Sequence, residues 1–262
     1  MLRVRGLHKS FKQRAVVQGV DLEVEAGEIV GLLGRNGAGK TTTFRMTVGM
    51  MRPDAGTIEF LGQDVTGWPM YRRARAGMGY LPQEHSVFRD LSVEDNLMVV
   101  LERMELSRKE RKHQGLALLE EYDLLPVRKN QAYTLSGGQK RRLEIARALI
   151  TRPRLMLLDE PFAGVDPIMR GDVTKTIYKL RDKGISVFVT DHDERRILES
   201  VDRVYLVHEG RVVEKGPPAA IVASQVARDV YLGRDFQLDL PPRPGEVAPP
   251  ADAPVDEGSS AA

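Results

Sequence analysis

Three short stretches of the chain are apolar at nearly every position: Glu28 to Leu33, Leu155 to Leu158 and Ile185 to Thr190. Runs that are apolar on both faces predict strands buried on both sides, as in a parallel sheet covered by helices. Between the second and third runs, Asp166-Pro167 supplies an N-cap and a first helical residue. Val173, Ile177 and Leu180 then recur at helical spacing, and Gly184 is a C-terminal stop. This is a strand–helix–strand unit. From Leu91 to Arg128 the pattern changes. Ser92-x-x-Asp95 and Ser107-x-x-Glu110 predict capping boxes, and Leu97, Val100, Leu101 and Met104 form one apolar stripe. The segment reads as a helical insert in the α/β frame. The first 27 residues alternate like strands, most clearly from Val16 to Val24. Arg203 to Lys215, broken at Glu209-Gly210, predicts a hairpin.

Composition narrows the class. The 262 residues are 42% hydrophobic and 29% charged, which fits a folded globule with a sizeable core. The tail after Leu240 departs from this, with Pro, Ala and acids, no aromatic residue and almost no large aliphatic. Such a segment buries too little apolar area to offset its ordering entropy, so residues 239–262 are expected to be disordered. There is no cysteine, which removes disulfides, iron–sulfur clusters, Cys-ligated zinc and a Cys nucleophile. The histidines at 8, 85, 113, 192 and 208 show no paired metal-ligand spacing. The N-terminus has no apolar signal region, and the apolar stretch Leu97 to Leu101 is far too short to span a bilayer. A cytoplasmic location is expected. The net charge of +2 divides into −4 on the last 24 residues and +6 on the rest. That excess suits phosphate ligands or an anionic surface without demanding nucleic acid, and no nucleic-acid partner is expected.

The chemistry concentrates in a few places. Gly34-Arg35-Asn36-Gly37-Ala38-Gly39-Lys40-Thr41 satisfies G-x4-G-K-[ST], after a predicted strand and before a helix. Its glycines let backbone N–H groups cradle phosphate oxygens, aided by the helix dipole. Lys40 would reach the outer phosphates, and the Thr41 hydroxyl would ligate Mg²⁺. Leu155 to Leu158 ends in Asp159 and Glu160, where an α/β sheet binds ligands. Asp159 could hold Mg²⁺ through water, and Glu160 could polarise a water aimed at the γ-phosphate. Leu135-Ser136-Gly137-Gly138-Gln139 forms a second anion seat before a helix predicted from Lys140 to Ile150. His192 follows the third strand, where it could contact the γ-phosphate. Gln83, in Tyr80-Leu-Pro-Gln83-Glu, reads as a loop amide. Phe11 reads as core ahead of the first strand, with a ring face able to stack adenine.

Taken in this order, these residues resemble the nucleotide-binding subunits of ABC transporters. The resemblance covers residues 1–238. It implies an α/β fold with a P-loop NTPase (RecA-like) core, an N-terminal antiparallel β subdomain and a helical subdomain inserted at about 89–150. It implies ATP and Mg²⁺, with Walker A at Gly34 to Thr41 followed by Thr42, and the Q-loop at Gln83. The signature is then Ser136 to Gln139, Walker B ends at Asp159, and the D-loop reaches Asp166. Glu160, His192 and Gln83 are the implied catalytic residues, and Thr41, Gln83 and Asp159 the implied metal ligands. Phe11 stands where the family more often has Tyr against adenine. The resemblance also implies two copies sandwiching ATP between the loop of one and the signature of the other. The cassette would sit on the cytoplasmic face of the inner membrane, with Gln83, Val87 and Phe88 near the transmembrane permease subunits.

Three further stretches resemble the ATPases of lipopolysaccharide exporters: Gly79 to Arg89, Asp159 to Ile168, and Tyr231-Leu-Gly-Arg-Asp-Phe236. Branched-chain amino-acid importer ATPases share the Gly-Arg-Asn-Gly-Ala-Gly-Lys loop and are the alternative. A soluble, non-transport ABC ATPase fits less well. The 51 residues between Gln83 and Leu135 leave no room for a long coiled coil, and one chain carries one cassette.

Overall fold

The computed structural model describes residues 1–165, 170–238 and 240, with Arg170 by its backbone alone. The expected cap at Asp166-Pro167 and the tail from Pro241 onward lie outside the described residues. The strands are β1 (Leu2–Phe11), β2 (Arg14–Val24), β3 (Ile29–Leu33), β4 (Ala55–Phe60), β5 (Gln63–Asp64), β6 (Met78–Leu81), β7 (Leu155–Asp159), β8 (Ser186–Thr190), β9 (Arg203–His208) and β10 (Arg211–Gly216). The main helices are α1 (Lys40–Val48), α2 (Met70–Arg75), α3 (Val93–Leu101), α4 (Arg108–Glu121), α5 (Gly137–Leu149), α6 (Arg170–Asp182), α7 (Glu194–Ser200) and α8 (Pro218–Ala223).

Two sheets result. One is antiparallel in the order β2-β1-β4-β5. The other has the order β10-β9-β3-β8-β7-β6 and is parallel except for β10. The continuous apolar runs divide their side chains between two cores. Val30, Leu32, Leu155, Leu157 and Phe188 face α1 and the antiparallel sheet. Ile29, Leu33, Met156, Leu158, Val187 and Val189 face the helices of the other side. That two-sided burial is why β3, β7 and β8 show no polar alternation. Phe44 of α1 stacks on Phe188 with ring centroids 4.4 Å apart, and both are fully buried. Burying each such ring contributes roughly 1.5–3 kcal/mol.

The insert is helical from Val93 to Leu149, with turns between. Ser107 and Glu110 form a full capping box, whereas Ser92 Oγ caps Asp95 N–H at 3.0 Å without the reciprocal backbone bond. The predicted helix at Lys140 begins three residues earlier, at Gly137. Ser136 Oγ accepts from Gln139 N–H, and Gln139 Oε1 accepts from Ser136 N–H, so both glycines lie in the first turn. A Cβ at Gly137 would stand 2.7 Å from Gly164 O, and only glycine lets the helix start sit this close. Val173, Ile177 and Leu180 are buried along α6, and β9 and β10 pair as the expected hairpin. Phe11 corrects its expectation. It ends β1 opposite Arg14 instead of preceding the first strand, and it is 44% exposed, not core.

Candidate active site

Parallel pairing puts the C-terminal ends of β3, β8, β7 and β6 on one edge of the sheet, in that order. Each end carries one of the sequence-predicted groups: Gly34 after β3, His192 after β8, Asp159 and Glu160 at β7, and Gln83 after β6. Ligands in open α/β sheets bind beyond this edge.

The loop Gly34 to Gly39 turns on left-handed glycines, with φ of 81° at Gly37 and 105° at Gly39. At Gly34 a Cβ would lie 2.2 Å from Val207 O, so the loop can pass beside β9 only without a side chain. Lys40 Nζ donates to Gly34 O at 2.5 Å and to Arg35 O at 3.1 Å, lying across the loop. A cavity of about 130 Å³ is lined by Asn36, Gly37, Gly39, Lys40, Thr41, Thr42 and Glu160, closed on one side by Val16. A second, of about 390 Å³, continues over Arg35 to Ala38 toward Arg14, Ala15 and His208. Phe11 borders this end through its hairpin pairing with Arg14 but lines neither cavity.

Glu160 gathers the catalytic candidates. Its Oε2 accepts from Gln83 Nε2 at 2.7 Å and lies 3.5 Å from His192 Nδ1. Its backbone is left-handed, with φ of 46°, and its N–H donates to Thr190 O at 2.8 Å. Two further side chains, absent from the sequence motifs' expected roles, brace this cluster. Asp191 is fully buried, and its carboxylate accepts from the N–H groups of Phe162, His192 and Asp193, so it ties the turn after Glu160 to the turn of His192. Tyr80 OH donates to Asp159 Oδ2 at 3.3 Å. Asp191 stands next to His192 in sequence, which is a signal of a kind; Tyr80 offers none until β6 is placed beside β7.

The electrostatics follow from burial. Burial raises the pKa of Asp159, and the neighbouring negative charge of Glu160 raises it further. Burial also raises Asp191. Burial lowers Lys40, opposed by Glu160, Asp159 and Asp191. Tyr80 is pushed up to about 12, first by burial and then by Asp159. Arg45 and Arg141 oppose the rise at Asp159, so the buried carboxylates share the cleft with Lys40 and two guanidinium groups. Among the described residues no three His, Cys, Asp or Glu side chains form a metal cage. Thr41, Asp159 and Gln83 offer hydroxyl, carboxylate and amide oxygens instead. Such a hard, incomplete donor set fits Mg²⁺, which keeps waters and takes substrate phosphate oxygens.

Not every predicted residue joins this cleft. Ser136, Gly137, Gly138 and Gln139 line neither cavity. Asp166 lies outside the described residues. Val87 is packed in the core under the insert, whereas Phe88 is 46% exposed. Of that pair only Phe88 offers its side chain outward. Among the described residues no helix is long and apolar enough to cross a membrane.

Comparison with known proteins gives the family and the fold. A family model described as ABC transporter matches residues 17–163. A probable ABC transporter ATP-binding protein of Azorhizobium caulinodans is 55% identical over 233 residues, covering 89% of this chain and 83% of its own. The lipopolysaccharide export system ATP-binding protein LptB of Acidithiobacillus ferridurans is 50% identical over 238 residues, 91% of this chain and 99% of its own. Among solved structures, the ADP conformation of an ATP-binding cassette of an ABC transporter matches with a TM-score of 0.80 at 25% identity. That match covers 89% of this chain and 99% of the other.

Proposed function

The chain belongs to the ABC transporter ATP-binding family, and from that premise we propose that it hydrolyses ATP to drive export of lipopolysaccharide or a related lipid. The observation that carries the catalytic part is the convergence of Gln83 and His192 on one oxygen of Glu160, beside the Gly34–Thr42 loop. The cargo reading is supported by the lipopolysaccharide export ATP-binding protein that is 50% identical over 91% of this chain.

In this reading the phosphates of ATP rest on the amides of Gly34 to Thr42, and Lys40 turns from Gly34 O to the outer phosphates. The base lies toward Arg14 and Phe11. Glu160 takes a proton from the attacking water as its oxygen bonds to the γ-phosphorus and the bond to the bridging β-oxygen breaks. His192 contacts the γ-phosphate. Gln83 spends its N–H on Glu160 and keeps its carbonyl oxygen for Mg²⁺, beside the Thr41 hydroxyl and Asp159. Bound Mg²⁺ supplies neutralisation of phosphate charge. Asp191 holds both turns in register.

Ser136 to Gln139 form a second anion seat outside the cleft, so one chain holds half of two sites. A second copy completes each, with Ser136, Gly137, Gly138 and Gln139 closing over the other copy's ATP. Transmembrane permease subunits dock against the loop after Gln83, with Phe88 as the exposed apolar contact. The pair sits on the cytoplasmic face of the inner membrane.

The test is sedimentation of the Glu160→Gln variant with Mg²⁺ and ATP. A stable dimer holding two ATP is expected, lost on Ser136→Arg. A variant that binds ATP and stays monomeric overturns the shared site.

A further inference from the structure

We propose that the buried ion pair Arg141–Glu144 of α5 is a positioning device that couples the 82–88 loop to the catalytic turn at Glu160. This rests on reading Glu160 as the base and that loop as the permease contact. Arginine and glutamate are almost never fully buried unless paired, yet these two are each 1% exposed. A buried pair gains little stability over apolar residues of the same volume, so its presence asks for a geometric reason.

The bonds supply one. Arg141 Nη2 donates to Asp159 O at 3.2 Å and to Glu160 O at 3.1 Å, and Nε donates to Pro161 O at 3.3 Å. One guanidinium thus grips three successive carbonyls beneath the catalytic side chain. Its other arm, Nη1, donates to Pro82 O at 2.7 Å, one residue before Gln83, and to Glu144 Oε2 at 3.1 Å. Glu144 in turn accepts from Ser86 N–H through Oε1, and its Oε2 lies 3.4 Å from His85 Nδ1. Further along α5, Arg147 Nη2 donates to Ser86 Oγ at 2.6 Å, and its guanidinium lies 5.1 Å from the Phe88 ring centroid. One face of α5 therefore holds the loop at Pro82, Ser86 and Phe88, and the same Arg141 holds the turn of Glu160.

The guanidinium is planar, so a shift of Pro82 is passed to the 159–161 carbonyls instead of being absorbed by a flexible stem. Those carbonyls flank Glu160, whose left-handed φ of 46° is costly for a residue with a side chain and needs to be held. Docking at Phe88 would then move the catalytic carboxylate relative to the γ-phosphate. A misplacement of about 1 Å can change a rate by roughly 100-fold.

Two variants test this. Arg141→Lys keeps the charge opposite Glu144 but cannot span four carbonyls. The double variant Arg141→Gln with Glu144→Gln removes both charges together, so neither is left unpaired, and it carries the test if the single variant fails to fold. Both are compared with the parent for ATP Kd, KM, kcat per folded molecule and Tm. The parent, both Arg141 variants and Glu160→Gln are also measured in the detergent-purified transporter. We expect Kd and KM within about two-fold, kcat lower by roughly 10-fold or more, and loss of any change in kcat on adding the permease subunits. A lower Tm with unchanged kcat and unchanged response to the permease overturns the proposal, as does a rise in Kd matching the fall in kcat. If Glu160→Gln itself turns over normally, the reading of the active site fails. If it is inactive while the Arg141 variants are normal, only the coupling inference fails.

Discussion

Asn96 offers a perturbation whose size follows from its bonds. It is fully buried on α3, and its Oδ1 accepts from Phe88 N–H at 2.8 Å. Its Nδ2 donates to Phe88 O at 3.0 Å and to Ser92 O at 2.9 Å. The amide thus closes the loop carrying Phe88 onto the insert. Asn96→Ala removes three well-formed bonds and leaves the Phe88 backbone groups short of partners. At about 1 kcal/mol per bond the loss is about 3 kcal/mol. For a domain of this size that corresponds to a fall in Tm of roughly 6–12 °C. Asn96→Asp sharpens the test. The carboxylate keeps an acceptor for Phe88 N–H but sets its other oxygen against two carbonyls, unless it is protonated. Its pKa in the folded state therefore rises above the unfolded value, and the native state binds the extra proton. The stability of N96D relative to the parent then falls as pH rises from about 4 through the raised pKa. Thermal unfolding by circular dichroism at pH 5 and pH 8 reads both effects. A Tm of Asn96→Ala within about 1 °C of the parent refutes the reasoning, as does an N96D deficit that does not grow with pH.

Glu160→Gln keeps an acceptor for Gln83 Nε2 but loses the basic oxygen. Single-turnover hydrolysis is expected to slow by about 10²–10⁴, with ATP affinity retained; near-normal turnover removes Glu160 from the mechanism. Asp159→Asn removes a carboxylate whose pKa is raised by burial and by Glu160. The native parent holds that proton more tightly than the unfolded chain, so its stability falls as pH rises through the raised pKa. Without nucleotide, Asp159→Asn should therefore melt above the parent at pH 8, with the gain disappearing toward pH 4; a constant offset contradicts the sign. Phe88→Ala should leave nucleotide binding unchanged and reduce co-purification with the permease subunits, since only the exposed ring is lost. Undiminished co-purification counts against Phe88 as the contact.

Much of the fold was legible because the strongest patterns have one physical solution. A five-residue run buried on both faces, as in β3, β7 and β8, leaves only a covered parallel strand. Glu209 and Gly210 have φ of 46° and 78°, the two left-handed residues a tight hairpin turn requires. The Gly34 to Thr41 loop, Gln83, Asp159, Glu160 and His192 lie together because parallel strands place their C-terminal ends on one edge, whereas Ser136 to Gln139 follow no strand of that sheet and lie apart. Other features depend on tertiary contacts that spacing cannot report. The glycine pair Gly137-Gly138 puts the predicted helix start at Lys140, yet the Ser136–Gln139 box and the close approach of Gly164 O make the pair its first turn. Val87 and Phe88 look alike in sequence, and only the position of the insert decides that one is core and the other exposed. Arg141, Glu144 and Asp191 carry charges that belong on a surface by composition. Their burial becomes intelligible only when the backbone groups they serve are in view.

The central claim, that this cassette powers lipopolysaccharide export, is tested most directly by isolating the tagged full-length chain from its own membranes in mild detergent. The proteins bound to it are then identified by mass spectrometry, and the bound lipid is extracted. The account predicts a pair of permease subunits of the lipopolysaccharide-export type, with lipopolysaccharide or a related lipid co-purifying. Recovery of amino-acid permeases with a substrate-binding protein, and no such lipid, would contradict it.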